Sequence, residues 1–369
     1  MKAEYTIGAV VSGAVVVGLL FLFLASPAPQ APAGSLTFAG QSGALAKKIP
    51  YTEIANPSGF VNTGTNADGS GKPITLKELI GKNVIMVDFL TYSCINCQRT
   101  FPYMNAWYET YKDQGLEIIG IHTPEFAFEK NISNVRAAMQ KFGIRYPIVL
   151  DNEYGTWNAY GNRYWPRKYL IDIHGNIVYD HIGEGAYEET EMKIRELLAE
   201  RARVLGTEMP TDDSLAASGV PAVTTAAGSP ETYFGSARNE YLANGTSGRT
   251  GEQSLTLPQS PLLNRLYLGG TWDIAPEHAE SISDTSVVYR YSAKEVYIVA
   301  DADTPVAVEV LQDGKLVENA GGEDIREGGT VLMKESRLYK LIRNPEAGEH
   351  TLQLNVKGKG LRLYAFTFG

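Results

Sequence analysis

The sequence predicts a mixed α/β domain followed by an all-β sandwich or jelly roll, both carried behind a single transmembrane helix at the N-terminus. Three observations lead there. From Val84 to Val204, short β-branched runs alternate with segments of helical period. From Val287 to Phe368, short apolar or alternating runs follow one another between Gly, Asp, Pro and Asn clusters, the spacing of a many-stranded all-β domain. Before both, the run from Thr6 to Ala25 carries no charge.

That run comes first. At 1.5 Å per residue its helix would be about 30 Å long, the thickness of a bilayer's hydrocarbon core. Ala31-Pro32-Ala33 loosely resembles the cleavage site of a secretory signal, but signal cores are usually about 7–15 residues, shorter than this run, so an anchor is expected over residues 1–25. Lys2 precedes the run and no basic residue follows until Lys47 and Lys48, which places the bulk of the chain outside the cytoplasm, on a single-pass anchor in the cell membrane. Residues 26–47 begin with three prolines in Ser26 to Ser35 and read as a stalk.

The α/β segment is expected over 48–205. Val84 to Val87 and Leu116 to Ile121 read as buried strands flanking a helix from Cys94 to Gln114, a βαβ unit. Asn131 to Phe142 reads as a second helix, with Val135, Ala138, Met139 and Phe142 at spacings of three and four. Tyr169 to Asp172 and Ile177 to Tyr179 form a hairpin across His174-Gly175-Asn176. A closing amphipathic helix runs from Glu188 to Val204 on Met192, Ile194, Leu197, Leu198 and Arg201. Residues 206–230, rich in Gly, Ala, Ser, Thr and Pro, read as a linker, and 231–369 as the all-β domain, built on Val287–Tyr291, Val296–Ala300, Val306–Leu311, Arg337–Ile342, Thr351–Val356 and Leu361–Phe368.

Composition excludes some classes of function. The net charge is -9, with 33 basic residues scattered among 42 acidic ones, so no clustered cationic surface exists for nucleic acid. The chain has two cysteines, Cys94 and Cys97, so a disulfide framework and a four-thiolate metal site are both excluded. As a structural staple the pair would close too short a loop to remove much unfolded-state entropy. A metal site would need two further ligands from His122, His174, His181, His278 and His350, none at close motif spacing. Redox chemistry remains. At a strand-to-helix junction Cys94 would meet the unpaired N–H groups and positive end of the helix dipole, which favour a thiolate, while Cys97 lies one turn on, within reach to resolve a mixed disulfide. The dithiol is its own redox group, so no cofactor is implied.

Cys94-Ile95-Asn96-Cys97 has a setting that resembles the thioredoxin superfamily. Asp88 lies six residues before Cys94, as that family's buried acid does, Pro102 five after Cys97 at the family's kinked-helix proline, and Trp165-Pro166 at its cis-proline. A nearer resemblance is to the extracytoplasmic part of the DipZ proteins and the TlpA and ResA group. It rests on Thr91 to Arg99, Gly120 to Lys130 and Asn162 to Pro166, and continues through Glu231 to Gly235 and Tyr364 to Gly369. The resemblance implies a thioredoxin-like fold, protein disulfides as substrates, Trp165, Pro166 and Tyr92 beside the bound substrate, and, since one span replaces the multi-span domain of DipZ, a separate CcdA-like membrane electron donor. The Trp-Cys-Gly-Pro-Cys core of thioredoxin is absent, so its redox potential does not carry over.

Asp88 and Glu125 are the candidate acids for managing the proton of Cys97. Two rival readings stand beside the oxidoreductase. Thr91-Tyr92-Ser93-Cys94 has the Thr-x-x-Cys spacing of peroxiredoxin-type thiol peroxidases, although Val87 stands where those have proline. The other is a non-enzymatic copper chaperone or sugar-binding protein, for which Trp272, Tyr289, Tyr291, Tyr297 and Tyr364 would supply an aromatic carbohydrate platform or, more commonly, a core.

Overall fold

The computed structural model describes residues 49–208, 214–221, 227–318 and 320–369. The anchor expected at Thr6 to Ala25 and the stalk lie outside the described residues, and among those described no helix is long and apolar enough to cross a membrane.

The first half is a seven-stranded mixed sheet with helices. Its strands are β1 (Ile49–Pro50), β2 (Gly59–Val61), β3 (Val84–Leu90), β4 (Leu116–His122), β5 (Ile148–Leu150), β6 (Arg167–Ile171) and β7 (Asn176–Ile182), in spatial order β1-β7-β6-β3-β4-β5-β2. The helices are α1 (Ile95–Tyr111), α2 (Ile132–Lys141), α3 (Gly155–Ala159) and α4 (Tyr187–Leu205). Every residue of the central strand β3 is buried, as its unbroken apolar run requires, with Asp88 the single exception in chemistry. Parallel pairing sets Leu90 of β3 beside His122 of β4, and antiparallel pairing sets Asp88 beside Lys168 of β6. The hairpin turns at Gly175, whose φ of 84° suits glycine, while the Asp172 carboxylate accepts from the N–H groups of His174 and Asn176. Sequence periodicity missed the short strands β1, β2 and β5 and the single-turn α3.

Helix α1 buries Cys97, Phe101, Met104, Trp107 and Tyr111, a stripe at spacings of three and four that draws the second thiol into the core along with the apolar side chains. In α4 the inward face holds Ile194, Leu197 and Leu198 as expected, but Met192 is 53% exposed and Glu191 is buried instead. The reason is pairing. The Glu191 carboxylate accepts from Trp107 Nε1 at 2.9 Å, from the Tyr111 hydroxyl at 2.7 Å, and from the N–H groups of Ala216 and Ala217. Those last two lie in the stretch expected to be a linker, of which Ala216–Gly219 makes a short 3-10 turn, and Ala216, Ala217 and Val220 pack on the same core.

The second half is a ten-stranded sheet made of β8 (Thr232–Tyr233), β9 (Gly251–Leu255), β10 (Leu266–Ile274), β11 (Ala279–Ser281), β12 (Thr285–Ala302), β13 (Val306–Gln312), β14 (Lys315–Leu316), β15 (Thr330–Met333), β16 (Arg337–Lys357) and β17 (Leu361–Phe368). Its strand pairs are antiparallel. β12 pairs with β10 along its first part and with β17 along its second, so one long strand serves two neighbours around a single apolar core. Trp272, Tyr289, Tyr291, Tyr297 and Tyr364 are all buried, so these rings are core, the commoner of the two readings, and none offers a free face to a sugar.

The two sheets meet at a further buried cluster. Ile95 and Phe126 from the first half pack with Tyr297, Val299, Leu338, Tyr364 and Ala365 from the second. The Tyr92 hydroxyl donates to the Ser336 carbonyl across the same boundary, at 3.1 Å.

Removing the Glu191 acceptor strands four donors in the interior. Glu191→Ala should cost about 3 kcal/mol of stability in chemical denaturation, with Glu191→Gln in between, since an amide keeps one acceptor oxygen. A wild-type denaturation midpoint for Glu191→Ala would show that the carboxylate is not what fastens residues 216–217 to the helices.

Candidate active site

The site begins where β3 ends. After Leu90 the chain turns through Thr91, Tyr92 and Ser93 and enters α1, with Cys94 as the extended N-cap residue (φ -76°, ψ 123°) whose carbonyl accepts the first helical bond, from Gln98 N–H at 3.0 Å. Cys94 is half-buried and Cys97 fully buried, and both are free thiols. Burial, with the neighbouring Cys94, holds the Cys97 thiol well above its ordinary value, so the inner sulfur keeps its proton while the outer one sits at the positive end of the helix.

Glu129 holds this turn. Its fully buried carboxylate accepts from Thr91 Oγ1 at 2.5 Å, Ser93 Oγ at 2.7 Å, Ser93 N–H at 3.2 Å, Glu125 N–H at 2.7 Å and Phe126 N–H at 3.1 Å. Sequence reasoning passed over Glu129 in favour of Glu125. The structure corrects that choice: the Glu125 carboxylate accepts from Arg238 at 2.7 Å and from the Tyr233 hydroxyl at 2.9 Å, which ties it to the second half of the chain rather than to the thiols. Arg238 lies over the Tyr233 ring, 3.7 Å from its centroid, and closes this cluster.

Asp88 is where the sequence placed it. It is buried in mid-strand with neither carboxylate oxygen hydrogen-bonded, and desolvation pushes it up to about 7 against the opposing pull of Lys168. Lys168, its cross-strand partner, is fully buried too, and its Nζ donates to the Gly183 carbonyl at 3.3 Å. Burial lowers the Lys168 ammonium, while the charges of Asp88, Cys97 and Glu184 raise it. Asp88, Lys168 and Cys97 therefore form one electrostatically coupled group. The signal for Lys168 was present in the sequence, a lysine two residues after Pro166 inside an apolar strand, but it was not read.

The Trp165-Pro166 peptide is cis. The Pro166 carbonyl accepts from Gly183 N–H at 2.8 Å, and the Trp165 ring packs on Trp157 with centroids 4.4 Å apart. Trp165 is half-buried and Tyr164 is 50% exposed, so this edge faces solvent. Tyr92 does not. It is buried, stacked on His122 at 5.6 Å and bonded to Ser336, so the expectation that it walls a bound substrate is corrected: its ring is used in packing. On the next turn of α1, Arg99 pairs with Glu184 at 3.3 Å and Glu295 at 3.4 Å and bonds the Tyr297 hydroxyl at 3.3 Å.

Residues 45–198 match the Redoxin family, and residues 229–369 match the family described as thioredoxin like C-terminal domain. The chain belongs to the thioredoxin superfamily, among its thioredoxin-like thiol-disulfide oxidoreductases. The thiol-disulfide oxidoreductase ResA of Halalkalibacterium halodurans is 36% identical over 135 residues, covering 37% of this chain and 73% of ResA. ResA of Bacillus thuringiensis is 32% identical over 164 residues, 44% of this chain and 89% of that protein. Protein DipZ of Mycobacterium tuberculosis is 37% identical over 319 residues, which is 86% of this chain but 42% of DipZ. The chain thus spans about two fifths of the length of that relative, across both of its own sheets.

A carboxyl raised from its ordinary 3.8 to about 7 keeps its proton in the folded state where the unfolded chain has lost it. Asp88 therefore weakens the fold as pH rises from about 4 to about 7, and Asp88→Asn should flatten that slope in urea denaturation. Above about 7 the carboxylate is ionised and able to take a proton, and the same variant is expected to slow disulfide exchange by about ten-fold or more and lose the rise in rate through that pH range. Wild-type rates with an unchanged pH profile would remove Asp88 from the chemistry.

Proposed function

We propose that this chain is a membrane-anchored, extracytoplasmic oxidoreductase that reduces protein disulfides through Cys94 and Cys97. The observation that carries the reading is the dithiol at the start of α1, one sulfur half-exposed and the other buried in the core within electrostatic range of Asp88 and Lys168. Cys94 thiolate attacks a substrate disulfide, forming a mixed disulfide and releasing one substrate thiolate. Cys97 passes its proton to Asp88 and attacks the Cys94 sulfur, which releases the second substrate sulfur and leaves Cys94 and Cys97 joined. Two electrons have then moved to the substrate, and a dithiol donor must return two to the protein. Tyr164 and Trp165 form the solvent-facing edge along which the substrate lies, with the buried Pro166 next in the chain, and Lys168 steadies the negative charge that Asp88 and Cys97 develop in turn.

The remaining parts rest on the sequence. Thr6 to Ala25 is the single span, its charge pattern puts residues 48–205 and 231–369 outside the cytoplasm, and by resemblance the donor is a CcdA-like membrane protein. Residues 231–369 form an all-β sandwich that carries no thiol and serves the redox half by contact.

The two thiols should behave differently. Cys97→Ser is expected to accumulate mixed disulfides with a reducible protein substrate on non-reducing gels, and Cys94→Ser to lose exchange altogether. Equal trapping by both variants would overturn the division of labour.

A further inference from the structure

The surroundings of Cys94 are not symmetric. The residue after it, Ile95, is buried in a cluster that takes Phe126 from its own half and, from the second half of the chain, Tyr297 and Val299 of β12, Leu338 of β16, and Tyr364 of β17. Two residues before the sulfur, Tyr92 is bonded to Ser336 of the same half. One turn beyond it, Arg99 is buried under Tyr297, 5.6 Å from the ring centroid, and is clamped between Glu184 and Glu295. Ile95 and Arg99 are thus roofed by residues of the ten-stranded sheet, and Tyr92 is bonded to the turn that leads into β16. The flank that faces solvent is the one formed by Tyr164 and Trp165.

We propose that this edge of the ten-stranded sheet is a specificity wall, which closes the Ile95 side of Cys94 and confines substrates to disulfides in extended, unfolded segments that enter along Tyr164 to Pro166. The proposal rests on the oxidoreductase reading above and adds its substrate class. The physical argument is steric. A thiolate must approach a disulfide in line with the S–S bond, and a folded protein bringing its disulfide to Cys94 would place its own surface where Tyr297, Leu338 and Tyr364 already stand. A single extended strand needs no such room. Val299 and Leu338 belong to this boundary cluster rather than to the main core of the ten-stranded sheet, so a charge placed there loosens the wall while leaving that core intact.

The test uses the full chain and two substrates, a short unstructured peptide closed by one disulfide and native insulin. Wild type should favour the peptide in kcat/KM by about ten-fold or more, and Leu338→Asp and Val299→Asp should raise the insulin rate by about ten-fold while moving the peptide rate less than about two-fold. A ratio unchanged in both variants, or rates that move by one common factor, would overturn the wall and leave the oxidoreductase standing. No exchange by wild type with either substrate would overturn both. Because a buried charge can unfold a chain, a second measurement needs no substitution: in wild type, iodoacetamide should alkylate Cys94 at least about ten-fold faster, relative to a free thiol peptide, than a maleimide carried on a bulky polymer. Equal relative rates for the two reagents would overturn the proposal on the native protein.

Discussion

Glu129 has no contact with solvent, and five donors from two loops converge on its carboxylate. A buried acid with so many donors is costly to disturb, because any one left unmatched pays its full desolvation. Its oxygens draw the Thr91-to-Ser93 turn, which aims Cys94 at the helix start, against the Glu125-to-Phe126 turn. That second turn reaches the other half of the chain through Glu125, Arg238 and Tyr233, and through Ala127 N–H, which donates to Glu277 at 2.8 Å. One carboxylate therefore joins the loop before Cys94 to the second half of the chain.

The acid-rich patch around Arg238 follows from the same crowding. Burial and the nearby Glu125 push Glu231 up to about 7, and its carboxyl lies 2.7 Å from the Tyr233 hydroxyl that also faces Glu125. One guanidinium thus faces Glu125 directly and Glu231 through a shared tyrosine. The cluster holds together because protons, hydroxyls and the arginine divide the charge among them, which makes this contact between the halves polar where the Ile95 cluster beside it is apolar.

What the sequence made legible were features set by local physics. The β3 run, the strand-to-helix placement of Cys94, the helix that follows it and the Asp172-to-Asn176 turn all follow from spacing and residue type, and the structure has each of them. The misreadings share a different cause. Glu125 and Glu129 stand four apart in one loop, and only a partner 113 residues further along decides which of them turns toward Arg238. Lys168 went unread because its reason is Asp88 on the neighbouring strand. β12 read as two strands because Ser292, Lys294 and Glu295 interrupt its apolar pattern, where the structure has a bulge in the pairing with β16. β10 was missed because Gly269 and Gly270 break its run, the second at a φ of 89°.

The bond from Tyr92 to Ser336 spans 244 positions of sequence. Contacts that distant form late, since a long stretch of chain must be closed before they give anything back. A ribosome making this protein releases the dithiol well before the strands that roof it, so for much of synthesis Cys94 stands open to any oxidant or foreign thiol it meets. The chain has no third cysteine with which to pair wrongly, and the nascent thiols can only find each other or an outsider. Selectivity at this site is thus acquired in time as well as in space, arriving when β12, β16 and β17 have come together.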